Sequence, residues 1–140
     1  MKLRWKIFLT VAAAIVYSYM AFGKPTVPTT SMLAEKYRQF NEDYFLGQLP
    51  KDTVVTYGNL TQLNDMGYTW KENSGKFHIT VDQETNPVER QAEMTLLHEQ
   101  CHIEVEIHNL NPKQDFDAHG IEFQNCMVNL ATHGAFHDLW

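Results

Sequence analysis

The sequence predicts an α+β domain in which a helix, a small sheet and two further helices follow one another. Three observations carry this. Apolar residues recur at helical spacing after Ser31. β-Branched and aromatic residues cluster in short segments between 53 and 81. A long helical pattern with a proper start holds His98, Glu99 and His102. The length of 140 residues suits one compact domain with a real core, and no internal period suggests stacked repeats.

The first residues stand apart. Lys2, Arg4 and Lys6 form a positive patch, and the apolar run from Ile7 to Phe22 is broken only by Thr10 and Ser18. Ala21 and Gly23 place small residues at −3 and −1 of a cleavage position after Gly23. Residues 1–23 thus have the layout of a secretory signal peptide. An uncleaved N-terminal anchor through residues 5–22 is the alternative, because the run approaches the ~20 residues a spanning helix prefers. The domain is accordingly expected to be exported, periplasmic or secreted, or held at a membrane by this segment. Lys24 to Thr30 (KPTVPTT) reads as an extended linker, which leaves residues 31–140 as the folded domain.

Removing residues 1–23 takes away three basic residues and no acid. It leaves 8 Lys and Arg against 17 Asp and Glu, a net charge of −9. An acidic domain without a basic run is a poor match for nucleic acid, where phosphate contacts need clustered Lys and Arg.

Within the domain, Leu33, Tyr37, Phe40 and Tyr44 fall on one face of a first helix, which Gly47 and Pro50 end. Thr53 to Tyr57, Tyr68 to Trp70 and Lys76 to Val81 read as three short strands. Asn73-Ser74-Gly75 supplies a hairpin turn between the last two, and an all-antiparallel sheet is expected. Asn86-Pro87-Val88-Glu89 looks like a helix start, with Asn86 as cap and Glu89 reaching back to it. This second helix should run to about His108 and stop before Pro112. A third runs from about His119 to Thr132, with Phe123, Met127 and Leu130 facing inward.

The second helix carries the chemistry. His98 and His102 are four residues apart, about 400° on a helix, so both imidazoles leave one face a turn apart. Two nitrogens so placed can hold one zinc ion, and Glu99 lies beside them. This is the HExxH arrangement of zinc hydrolases, in which the Glu is a general base. Two buried histidines and a carboxylate with no ion would each need other partners.

A catalytic zinc normally has three protein ligands and one open position. His108 has the spacing of the third His in HExxHxxGxxH, but Val105 stands where that pattern has Gly. If the helix continues through Val105, His108 points about 240° away. The other candidate is His119, followed by Gly120 and separated from His102 by a bend containing Asn111-Pro112.

These residues resemble the SprT-like zinc metalloprotease domain family. His98-Glu99-Gln100-Cys101-His102, then His119-Gly120 with Phe123 beyond, match its paired blocks. Tyr37 to Phe45 (YRQFNEDYF) followed by Gly47-Gln48-Leu49-Pro50 is similar to its first helix and exit. Gly67-Tyr68-Thr69 and the strand His78 to Val81 fit its small sheet. The resemblance covers about residues 33–133. It implies a zincin-like fold with His98, His102 and His119 as zinc ligands, Glu99 as catalytic base, and a protein or peptide substrate. Many members carry a C-terminal ribbon of paired cysteines, a pattern not seen here through Trp140. Members that act in DNA–protein crosslink repair are intracellular, so that role is not carried over.

The expected function is therefore a zinc-dependent metalloendopeptidase. The alternative is a zinc-stabilised protein-binding module that does not cut. Cys101 is expected to face the core as a small apolar residue or to bond Cys126, rather than to ligate. His78 is expected to be solvated, and His133 and His137 to lie on a frayed tail. Glu104 and Glu106 read as a solvated face, with Glu106 a lesser candidate for orienting a ligand His.

Overall fold

In the computed structural model, residues 26–108 and 118–139 are described. The expected signal or anchor segment and the Asn111-Pro112 bend lie outside them. Among the described residues, no helix is long and apolar enough to cross a membrane.

Helix α1 spans Thr30–Tyr44, and its cap is Thr29, whose hydroxyl accepts from the backbone N–H of Met32. Leu33, Tyr37 and Phe40 bury the expected face. The exit turns through Leu46 and Gly47, both at positive φ (54° and 69°), a conformation that glycine adopts without strain. Asn41 anchors the chain beyond this turn. Its side chain accepts from Leu49 N–H and donates to Leu49 C=O, both at 3.0 Å, as a neighbouring strand would.

The supposed linker is not a free tether over residues 26–30. Pro28 is buried, Thr26 C=O accepts from the Glu89 N–H, and the Thr26 hydroxyl donates to the Glu89 carboxylate. Thr30 Oγ1 accepts from the Tyr57 N–H at 2.9 Å. Backbone groups of the neighbouring elements hold the segment down, which composition alone does not reveal.

Three strands come next: β1 (Val54–Gly58), β2 (Gly67–Lys71) and β3 (Phe77–Asp82). Their order is β1-β3-β2. The hairpin of β2 and β3 is antiparallel, with Thr69 opposite Ile79. The expectation of an all-antiparallel sheet is corrected by β1, which pairs parallel to β3 with Val55 opposite Ile79. The reason lies in the loop between β1 and β2. Leu60 N–H donates to Asp82 Oδ1 at 2.7 Å, and Asp82 N–H donates to Met66 C=O at 2.9 Å. These bonds hold the loop across the end of β3, so β2 lands one strand away and β3 enters the gap.

Helix α2 spans Glu89–His108 and is buried on most of its circumference. It packs against α1, β2, β3, the following helix and a short 3-10 turn at His137–Leu139. Asn86 does not cap it. The Asn86 amide donates instead to Met66 C=O and Asp82 C=O, each at 2.9 Å, and its oxygen accepts from the Thr95 hydroxyl at 2.6 Å. Helix α3 spans Ile121–Thr132, begins at Gly120, and buries Phe123, Cys126 and Leu130. The tail is not frayed through residue 139, because Ala135 and Leu139 enter the core. The result is an α+β domain with three helices and a small mixed sheet.

Candidate metal centre

The middle of α2 is mostly buried, and its histidines, partly buried, face a cleft of about 680 Å3 between α2 and β2. His98 and His102 leave that side a turn apart, their Nε2 atoms 3.2 Å from each other. His119 comes from the turn just before α3 and brings its Nε2 to 3.2 Å from that of His98. All three ligand atoms lie within 4.8 Å of one another. Phe123 forms the floor, with its ring centroid 4.7, 4.5 and 4.8 Å from those of His98, His102 and His119.

The donor set fits a cation. Ligands around a tetrahedral zinc at about 2.05 Å stand about 3.3 Å apart, close to the two 3.2 Å separations. Protons satisfy this cluster poorly. A neutral imidazole Nε2 offers one in-plane N–H or one lone pair, yet His98 Nε2 faces both other rings. Burial, reinforced by His119, lowers the His98 imidazole pKa. Burial pushes His102 down to about 4, with His98 and His119 adding to the effect. Both rings are thus kept in the neutral form that binds metals. These three histidines are close enough to hold a metal ion.

Glu99 lines the same cleft but is only 4% exposed. Burial pushes its carboxyl up to about 7; the Thr69 bond pulls the other way and Asp65 adds to the rise. Its Oε2 accepts a 2.6 Å hydrogen bond from Thr69 Oγ1 on β2. Gly67 makes room for it: a Cβ there would stand 2.6 Å from Glu99 Oε1 and 2.7 Å from Thr95 Cγ2.

His108 is excluded from the cluster. The helix runs on through Val105, and His108 Nδ1 lies 2.9 Å from the Glu104 carbonyl of its own last turn. Glu106 lines the cleft and pairs with Lys71 at 3.1 Å. Glu104 is half-buried rather than solvated, and burial raises its pKa. His78 is not simply solvated either. It stacks on Trp70, with centroids 4.1 Å apart, and its Nε2 lies 2.6 Å from Glu72 Oε1. His133 Nδ1 lies 2.7 Å from the Asn129 carbonyl at the end of α3. Cys101 and Cys126 are joined in a disulfide, so Cys101 is not a ligand.

Two contacts are invisible in the residue pattern: Thr69 as a partner of Glu99, and the Asn86–Thr95 bond one turn earlier on α2. The first joins residues 30 apart in sequence, and the second ties the loop just before α2 back onto its second turn. The Gly67-Tyr68-Thr69 match is the only signal near them.

No protein-family model matches the chain, and no curated protein matches it in sequence comparison.

Proposed function

We propose that the protein is a zinc-dependent metalloendopeptidase with a zincin-like, SprT-like domain, exported or held at a membrane. The observation that supports it most is one cleft lined by three convergent imidazoles and a buried carboxylate held by its own hydrogen-bond donor. A binding module stabilised by metal accounts for the histidines but gives Glu99 no task, and burying a carboxylate carries a cost.

In this reading His98, His102 and His119 hold the ion and leave one side open to the cleft. When bound, zinc supplies Lewis-acid chemistry, acidifying water and polarising an amide carbonyl. Glu99 takes the proton released as water attacks the carbonyl and hands it to the departing amine nitrogen. Thr69 keeps the Glu99 carboxylate aimed while this happens. The outer edge of β2, unpaired among the described strands, runs along the cleft and offers backbone groups to an extended peptide.

The test is hydrolysis of an unfolded substrate such as casein by purified wild type and Glu99→Gln, each with and without a chelator. Wild type should cut and stop when chelated, and Glu99→Gln should keep its zinc and lose about 100-fold or more in rate. Equal rates for the two proteins would remove Glu99 from the mechanism.

A further inference from the structure

The three imidazoles do not share one rigid support. Two stand on α2, the central helix of the domain. The third precedes α3, which packs against α2 and, among the described elements, makes no comparable contact elsewhere. Its seat is narrow: Phe123, Cys126 and Leu130 are buried, while Ile121 and Val128 are exposed. A helix of 12 residues is marginal on its own and depends on such a seat.

The disulfide crosses this joint. Cys101 directly precedes His102, and Cys126 lies one turn beyond Phe123 on the same face of α3, their Cα atoms 5.8 Å apart. The bond therefore enters α2 one residue from a candidate ligand and enters α3 one turn from the aromatic floor. Cys101 is fully buried and Cys126 nearly so.

We infer that the Cys101–Cys126 bond is a positioning cross-link for the third imidazole: it seats α3 so that His119 and Phe123 meet His98 and His102, and metal retention depends on thiol redox state. This rests on the metal-centre reading above. With the bond open, His98 and His102 remain on α2 as a two-nitrogen site, and His119 is delivered only as often as α3 docks. A pair of imidazoles holds zinc more weakly than three, because each lost ligand is replaced by water. The domain core does not depend on the bond in the same way, since α1, the sheet and α2 pack together without α3.

The test uses the purified full chain, with zinc alone as the probe and a chromogenic chelator as competitor. The forms compared are oxidised wild type, wild type reduced by a trialkylphosphine, and the C101A/C126A double variant. In the reduction, phosphorus gives two electrons to the disulfide. Water supplies the two thiol protons and gives its oxygen to the phosphine oxide. The double variant has no thiols that could themselves take zinc. Oxidised wild type should bind zinc, and the other two forms about tenfold or more weakly. Amide hydrogen exchange should quicken in α3 while β3 and α2 stay protected. Equal zinc affinity in all three forms overturns the inference. So does loss of protection throughout, because the bond would then hold the whole fold together rather than the third ligand. Absence of zinc from the oxidised chain refutes the metal-centre reading, and this inference falls with it.

Discussion

Thr69 Oγ1 donates to Glu99 Oε2 at 2.6 Å, so the strand that borders the cleft also holds the carboxylate beside the histidines. The bond joins residues 30 apart in sequence. It links where a substrate would lie to the group that would move its proton.

Thr69→Val removes that donor with little change in shape. A hydrogen bond to a charged group contributes about 1.5–3 kcal/mol, so kcat should fall roughly 10- to 100-fold with zinc content unchanged. The bond also lowers the Glu99 pKa. Its loss should therefore move the acid limb of the kcat/KM profile to higher pH. An unmoved limb would mean that Glu99 is not the titrating base.

Gly67→Ala should act on the same carboxylate through space rather than through a bond. The added methyl meets Glu99 Oε1 at 2.6 Å and Thr95 Cγ2 at 2.7 Å, so the carboxylate or the strand must shift. Under the proposed function, activity should drop by about 100-fold, as expected when a catalytic group is misplaced. Stability should fall by about 1–3 kcal/mol. Full activity with unaltered stability would show that the strand yields freely there.

Glu99 should also leave a mark on the metal-free protein. Its carboxyl is pushed up to about 7 from an ordinary 4.5. A raised carboxyl contributes stability that is present below the unfolded value and lost as pH rises through the folded one. Between about pH 4.5 and 7.5, metal-free wild type should lose on the order of 2 kcal/mol relative to Glu99→Gln. His102 acts with the opposite sign: its pKa is lowered to about 4 from an ordinary 6.5, so its penalty grows as pH falls below that ordinary value. It is common to both proteins and cancels in the difference. Urea unfolding of both, across that range, checks the sign.

Asn86→Ala should cost roughly 3 kcal/mol in urea unfolding, because Met66 C=O, Asp82 C=O and the Thr95 hydroxyl each lose a buried partner. A cost below about 0.5 kcal/mol would mean that water takes over these bonds.

Much of the fold was legible because it is written in periods. The Leu33-Tyr37-Phe40 face, the hairpin around Ser74 and the extent of α2 come from spacing and turn residues. The His98/His102 pair is a local geometry that any helix would produce, whereas His119 was one of two candidates until the turn before α3 brought it to His98. The illegible part depends on contacts between distant segments. Alternation tells which side of β1 faces inward but not that β3 lies parallel beside it, which Asp82 and Leu60 decide. Asn86 has the look of a helix cap, yet three buried partners compete for its amide and win. Ala135 and Leu139 carry no period of their own, so the docked tail had no signal.

The central claim is one ion held by His98, His102 and His119, and its most direct test is metal analysis of the purified chain. Wild type and His108→Ala should each carry close to one zinc per chain, and His119→Ala should carry little. A metal-free wild type, or a His119→Ala protein that keeps its full complement of zinc, would contradict it.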